Sequence, residues 1–180
     1  FNEPRHAASS LKPLLLGLAI DRGLAAPDHR VEDLPLQIGG YRPNNFDGRF
    51  HGLVRLSDAL AQSLNVPFIN LIRRVGVESF IGRLRNAGLA HLNRLPEFYG
   101  LSAALGTVPI TPLELARTYA AIAQDGRVQM LSHLASEEPD PGIRIISPEA
   151  AWLLRSILRS RDRPDFPQRA RLHGMDPSIH

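Results

Sequence analysis

Cysteine is absent from this 180-residue sequence, and Lys12 is the single lysine among its 21 basic residues. Without cysteine the chain can form neither a disulfide framework nor a thiolate metal site. This is compatible with an oxidising compartment but does not establish one. No apolar run approaches the roughly 20 residues that a membrane-spanning helix needs. With 43% hydrophobic and 22% charged residues, the composition fits one globular domain or a large part of one.

Aromatic residues and net charge are also low, at 6% of the chain and +3 at pH 7. The arginines are scattered, with few aromatic residues between them, so a nucleic-acid-binding surface is not indicated. The seven histidines show none of the short spacings that bind metals, and no glycine-rich phosphate loop is present. We therefore predict no nucleic-acid partner, no metal and no cofactor.

Hydrophobic periodicity predicts a mainly α-helical chain with one small β-hairpin. The predicted helices cover 11–22, 56–63, 67–75, 77–87, 111–124 and 149–159. The hairpin strands are predicted at 128–134 and 143–146. Proline and glycine density predicts an irregular crossing over 25–50. The predicted organisation is one partial domain over 1–160, followed by an irregular tail over 161–180.

Capping residues mark three of the predicted helix starts. Ser57 and Ser147 are the predicted N-caps of their helices, and Thr111 with Glu114 has the spacing of a capping box. The residues expected to face the core are Leu113, Leu115, Ala116, Tyr119, Ala120 and Ala123 in one helix, and Trp152, Ile157 and Leu158 in the last.

The segment Ser9-Ser10-Leu11-Lys12-Pro13 opens an apolar run and is the first candidate for chemistry. In a helix that begins near Ser9, residues three apart share one face, so Ser9 and Lys12 would lie together. A serine hydroxyl becomes a nucleophile when a base removes its proton, and a lysine is such a base when burial lowers its pKa. The helix N-terminus would favour the negative charge that develops in acyl transfer.

Position 12 keeps a lysine in a chain that otherwise uses arginine. Arginine stays protonated in proteins, so it could not accept the proton of a serine hydroxyl. The simpler alternative, that Lys12 is an ordinary solvated lysine without a chemical role, remains open at this point, because a lysine at a helix start is usually solvated.

A second candidate, Ser63-Leu64-Asn65, lies between two predicted helices. It precedes Pro67, which disfavours helical conformation at Val66. A hydroxyl and a carboxamide on such a turn could relay a proton to a leaving amine and hold a substrate amide. The alternative is that Ser63 and Asn65 only cap the neighbouring helices.

Ser-x-x-Lys, followed about fifty residues later by Ser-x-Asn, resembles the active-site pattern of penicillin-binding proteins and class A β-lactamases. The likeness covers most of residues 5–160 and is greatest to class A penicillin-binding proteins of the 1C type. Its further segments, in family order, are Asn45-Phe46-Asp47-Gly48, His51-Gly52, Gln62 to Pro67, Ala104-Leu105-Gly106, Glu114-Leu115-Ala116 and Ala150-Ala151-Trp152. The resemblance implies the helical lobe of the penicillin-binding and β-lactamase-like transpeptidase fold, whose antiparallel sheet is largely missing from this chain.

The resemblance also implies a role for each motif residue. Ser9 resembles the nucleophile that β-lactam inhibitors acylate, and Lys12 resembles its general base. Ser63 and Asn65 resemble the second motif, which relays protons and binds the substrate amide. The implied reaction is D,D-transpeptidation: Ser9 attacks the D-Ala-D-Ala bond of a peptidoglycan stem peptide, D-Ala leaves, and an amine of a neighbouring stem resolves the acyl-enzyme. The implied parent also carries a peptidoglycan glycosyltransferase and is anchored in the inner membrane, working at its periplasmic face.

Three departures from the family pattern set further expectations. No lysine follows Lys12, so the family's third motif, Lys-Thr-Gly, is absent, and we expect the chain alone not to complete turnover. Ala7-Ala8 stands where the family usually has Pro-Gly, so we expect an altered turn before Ser9. The glycosyltransferase, the membrane anchor and the first sheet strands are not in the chain, which we interpret as a segment of a longer protein.

Two alternatives to a transpeptidase stay open from the sequence. One is a related serine acylase, either a D,D-carboxypeptidase or a β-lactamase, which would differ in how the acyl-enzyme is resolved. The other is a non-catalytic helical interaction module, in which both motifs serve only as helix caps. Replacing Ser9 would then leave every activity intact.

Overall fold

A computed structural model describes residues 3–129 and 141–160 and shows a mainly helical chain. The α-helices are α1 (Lys12–Asp21), α2 (Leu56–Ala61), α3 (Val66–Val75), α4 (Val77–Asn86), α5 (Pro96–Tyr99), α6 (Pro112–Ala123) and α7 (Pro148–Leu158). Short 3-10 helices cover Ala8–Leu11 and Leu101–Leu105. The strands are β1 (Arg5–His6), β2 (Arg30–Asp33), β3 (Gly52–Arg55), β4 (Pro109–Ile110), β5 (Arg127–Val128) and β6 (Ile143–Arg144).

Helix α1 is the central element of the core. All its residues from Lys12 to Ala19 are buried, and it packs against α3 and α7. A Cβ at Gly17 would lie 3.0 Å from both Ile146 Cγ2 and Leu154 Cδ1, so the glycine lets these two side chains pack closely on α1. The continuous apolar run that predicted this helix reflects burial on every side rather than on one face.

The strands form three separate antiparallel pairs, β1 with β4, β2 with β3, and β5 with β6. The longest pair, β2 with β3, runs from Arg30 opposite Arg55 to Asp33 opposite Gly52. Its first strand lies inside the crossing that we predicted to be irregular, so that part of the prediction was wrong. The pair β5–β6 overlaps the predicted hairpin, with β5 beginning one residue before the predicted strand, at Arg127. Of the predicted strand 128–134, residues 130–134 lie outside the described residues, as does the predicted tail 161–180.

Two of the three predicted caps are confirmed. Thr111 forms a full capping box with Glu114, and Ser147 Oγ accepts a hydrogen bond from the N–H of Ala150 at 3.0 Å. Ser57 is not an N-cap, because β3 runs directly into α2 and leaves Arg55 in that position.

The predicted inward faces of α6 and α7 were wrong in part. Trp152 is 60% exposed and Leu158 is 40% exposed, while Ile157 is buried as predicted. In α6, none of the six predicted residues is buried: Leu113, Ala116, Ala120 and Ala123 are exposed, and Leu115 and Tyr119 are half-buried. The buried residues of α6 are instead Glu114, Thr118, Ala121 and Ile122. The physical reason is that the Glu114 carboxylate accepts hydrogen bonds from the N–H groups of Thr111 and Ala90, both at 2.8 Å, which draws this polar side of α6 inward.

No helix in the described part of the chain is both long and apolar enough to cross a membrane. The described residues also contain no group of three histidine or acidic side chains that could hold a metal ion.

The turn that leads into α1 is held by a close backbone contact. Ala8 has φ +48°, a left-handed conformation that glycine adopts most easily. Its N–H donates to the carbonyl oxygen of Gly106 at 3.0 Å. A Cβ at Gly106 would lie 1.7 Å from the carbonyl oxygen of Ala8. Ala8 therefore adopts a strained backbone conformation, and Gly106 makes room for it because it has no side chain.

We predict that Gly106→Ala destabilises the chain by about 2–5 kcal/mol, since it adds a left-handed alanine and a steric overlap with the backbone of Ala8. Urea unfolding followed by circular dichroism measures the loss. Gly82→Ala is the matched control. Position 82 lies inside α4, and a Cβ added there would have no neighbour within 4 Å, so this change should stabilise the folded chain by about 1 kcal/mol. Equal stabilities for the two variants would contradict the prediction.

Candidate active site

The first motif lies at the junction of the 3-10 helix and α1. The backbone N–H of Lys12 donates to the carbonyl oxygen of Ser9, so the two residues span one tight turn. Ser9 is partly exposed, while Lys12 is only 1% exposed. The predicted helix therefore has a 3-10 first turn, with Ser9 on that turn and Lys12 as the first residue of α1.

The two neighbouring serines differ in their contacts. Ser10 Oγ donates to the carbonyl oxygen of Ala7 within the same turn. Ser10 is also tied through its carbonyl oxygen, which accepts from Tyr119 Oη of α6 at 3.0 Å. Ser9 Oγ has no hydrogen-bond partner among the described residues. The hydroxyl of Ser9, unlike that of Ser10, is thus not committed to holding the turn.

The second motif is the turn between α2 and α3. Ser63 has φ +57°, and its N–H donates to the carbonyl oxygen of Leu60. The next N–H, of Leu64, donates to the carbonyl oxygen of Ala59. This pair of bonds is a Schellman motif, which ends α2 with a left-handed residue at a position where glycine is usual. The predicted break near Ser63–Asn65 is therefore correct.

The structure brings both motifs together at the amine of Lys12. Lys12 Nζ donates to the carbonyl oxygen of Ser63 at 2.6 Å and to Asn65 Oδ1 at 2.8 Å, and lies 3.3 Å from Ser63 Oγ. The Phe68 ring of α3 lies 5.5 Å away from Nζ. Within the described residues Lys12 forms no ion pair, so its amine is surrounded by neutral groups. The solvated-lysine alternative is excluded by this burial.

Burial lowers the pKa of Lys12 from the ordinary 10.5 to about 8, because removal from water disfavours the charged form. About a tenth of the amine is then neutral at pH 7 and half at pH 8. A neutral amine can accept a proton, so the physical requirement for a lysine base is met near physiological pH.

Asn65 and Asn45 connect this site to the β2–β3 pair. The N–H of Asn65 donates to Asn45 Oδ1 at 2.7 Å, and Asn45 Nδ2 donates to both carboxylate oxygens of Asp33 at 2.8 Å. Asp33 and Asn45 are both buried. Sequence reasoning used Asn45 only as part of the resemblance and did not single out Asp33, because neither residue lies next to a motif in the chain.

A cavity of about 300 Å³ opens beside the second motif. It is lined by Asn45, Phe46, Asp47, His51, Gln62, Ser63 and Leu64. Phe46 is fully exposed at its rim. Ser63 therefore both lines this cavity and accepts a hydrogen bond from Lys12 through its carbonyl oxygen.

Comparison with known proteins gives one family match and related proteins with long overlaps. The model of the penicillin-binding protein transpeptidase domain matches residues 1–177. The chain is 36% identical over 163 residues to penicillin-binding protein 1C of Escherichia coli, covering 91% of the chain and 21% of that protein. It is 27% identical over 183 residues to penicillin-binding protein 1F of Bacillus subtilis, covering 94% and 25%. The chain thus spans a quarter or less of the length of these relatives.

A crystal structure of penicillin-binding protein 1A from Haemophilus influenzae superimposes on the chain with a TM-score of 0.71 and 24% identity. The match covers 86% of this chain and 29% of that one. This likeness concerns the fold, which agrees with the mainly helical lobe that was predicted.

We predict that the Lys12 amine titrates with a midpoint near pH 8 in the folded chain and near 10.5 after unfolding in urea. The reason is that burial removes the amine from water only in the folded state. Since Lys12 is the only lysine, isotope-labelled lysine gives one side-chain NMR signal to follow with pH. A folded-state midpoint near 10.5 would contradict the prediction that burial lowers the pKa of the Lys12 amine.

Proposed function

Given that this chain belongs to the penicillin-binding protein transpeptidase family, we propose that it carries the acylation machinery of a serine D,D-transpeptidase of peptidoglycan synthesis. The observation that supports this most is the contact of Lys12 Nζ with Ser63 and Asn65, which unites two motifs separated by 51 to 53 residues. Chance helix caps would not place a desolvated amine against the oxygens of a second polar motif.

In the proposed acylation step, neutral Lys12 accepts the hydroxyl proton of Ser9 as Ser9 Oγ attacks the carbonyl carbon of a D-Ala-D-Ala bond. The new Ser9 ester forms as the peptide C–N bond breaks, and the leaving D-Ala nitrogen must receive a proton. Ser63 Oγ, 3.3 Å from Lys12 Nζ, is suited to pass it. An amine of a neighbouring stem peptide then attacks the ester, forming the cross-link and freeing Ser9.

The same proposal assigns a role to Asn65. Its Oδ1 accepts from Lys12, and its Nδ2 donates to the carbonyl oxygen of Asn44 at 2.7 Å. Asn65 thereby fixes the amine, and we propose that its amide also lies beside the bound stem peptide. The wider protein would carry a glycosyltransferase and a membrane anchor and act at the periplasmic face of the inner membrane; the resemblance to class A proteins supports this.

The acylation test uses a hybrid in which residues 5–160 replace the matching segment of Escherichia coli penicillin-binding protein 1C. We expect fluorescent penicillin to label the hybrid covalently, and Ser9→Ala to abolish labelling. The labelling rate should rise with pH towards a plateau with a midpoint near 8, because only neutral Lys12 accepts the proton.

Ser10→Ala is the matched control for the hybrid, since it removes the adjacent hydroxyl and should retain labelling. Equal labelling of the folded hybrid with and without Ser9 would contradict the assignment of Ser9 as the nucleophile. If the hybrid is labelled but releases the penicillin or the stem peptide to water at a high rate, the chain belongs instead to a hydrolytic serine acylase.

We further propose that the 180-residue chain alone does not complete turnover, because it carries no Lys-Thr-Gly motif to pair with substrate. Intact mass spectrometry after incubation with a β-lactam should show no stoichiometric adduct. An adduct that forms on the chain and vanishes in Ser9→Ala would sink this proposal while supporting Ser9 as nucleophile.

A further inference from the structure

The turn that carries Ser63 and Asn65 is strained and needs support from elsewhere. A left-handed non-glycine residue costs about 1–2 kcal/mol, and Ser63 adopts that conformation. The Schellman bonds fix the end of α2, but they do not fix Asn65, which is the first residue beyond them. The backbone N–H of Asn65 donates instead to a side chain, Asn45 Oδ1, at 2.7 Å.

Asn45 can make this contact in one amide orientation only. Its Nδ2 faces both oxygens of Asp33 and the carbonyl oxygen of Arg49, all at 2.8 Å. A flipped amide would place Oδ1 against these acceptors and Nδ2 against the N–H of Asn65, which is unfavourable at both ends. Asp33, together with the carbonyl oxygen of Arg49, therefore determines which atom of Asn45 faces Asn65.

Asp33 is itself held firmly. It is the last residue of β2, paired with Gly52 of β3, and its side chain is 0% exposed. Its carboxylate accepts from the backbone N–H of His51 at 2.9 Å and lies 2.8 Å from His51 Nδ1. A buried carboxylate with this many donors is a rigid acceptor, which suits it to orient a neighbouring amide.

We infer that Asp33 and Asn45 are positioning residues for the Lys12 base: Asp33 orients the Asn45 amide, which holds the Ser63–Asn65 turn over the lysine amine. The contacts form one unbroken path from Asp33 through Asn45 and Asn65 to Lys12. Neither residue touches the amine or Ser9. The catalytic part of this inference rests on the proposed function. The structural part, the effect of Asp33 and Asn45 on Lys12, does not.

The test is Asp33→Asn in the full chain, read by the NMR titration of the single lysine. An asparagine at 33 replaces one of the two acceptor oxygens that face Asn45 Nδ2 by a donor in either orientation, so the Asn45 amide is held less firmly. The loosened turn admits water to Lys12, and we expect its pKa to move up from about 8 by a unit or more. Asn45→Ala, which removes the same link without a polar replacement, should act in the same direction.

Asp28→Asn is the matched control, because Asp28 is exposed and the charge change is identical. A lysine titration in folded Asp33→Asn or Asn45→Ala that superimposes on that of the unchanged chain overturns the inference.

The hybrid separates this inference from the proposed function. Asp33→Asn should lower the acylation rate constant for penicillin about 10- to 100-fold, since it displaces the turn that holds the Lys12 amine. If the Lys12 titration shifts but the unchanged hybrid is not labelled at all, the positioning inference holds and the proposed function fails.

Discussion

The contact between the buried amine of Lys12 and the oxygens of Ser63 and Asn65 is the interaction on which the candidate site depends. A lysine amine removed from water is unstable in its charged form unless neighbouring groups accept its hydrogens. Here three oxygens do so and no carboxylate does, within the described residues. The amine is thus stabilised enough to remain buried but not enough to stay fully charged, which is the balance that a base near neutral pH requires.

Backbone strain occurs in the two turns that lead into or carry the motifs. Among the described residues, Ala8 and Ser63 are the two non-glycine residues with positive φ, and each begins a turn that carries one motif. Strained conformations persist where the surrounding structure over-determines them. Gly106 leaves room for the first turn, and the Schellman bonds with Asn45 support the second. Ala8 therefore adopts the left-handed conformation without being a glycine.

Local patterns predicted six of the seven α-helices in the described residues, all but α5, and the Thr111 cap, because these depend on residues close together in the chain. The inward faces of α6 and α7 were harder, since alanine is compatible with either side of a helix and hydrogen bonds drew the polar Glu114 inward. The strand β2 has four residues without clear alternation and lies among prolines, so periodicity could not reveal it. Asp33 went unnoticed because its function as an acceptor arises only through β2–β3 pairing and a partner twelve residues away.

The long separations along the chain also explain why the motifs alone would not be reactive. Lys12 in a short peptide is solvated and has a pKa near 10.4, so hardly any of it is neutral at pH 7. The lowered pKa appears only when α1 is buried between α3 and α7 and the Ser63–Asn65 turn closes over the amine. The lowered pKa is therefore a product of tertiary structure, and in the proposed mechanism any residue that holds the turn in place, however far from the hydroxyl of Ser9, acts through Lys12.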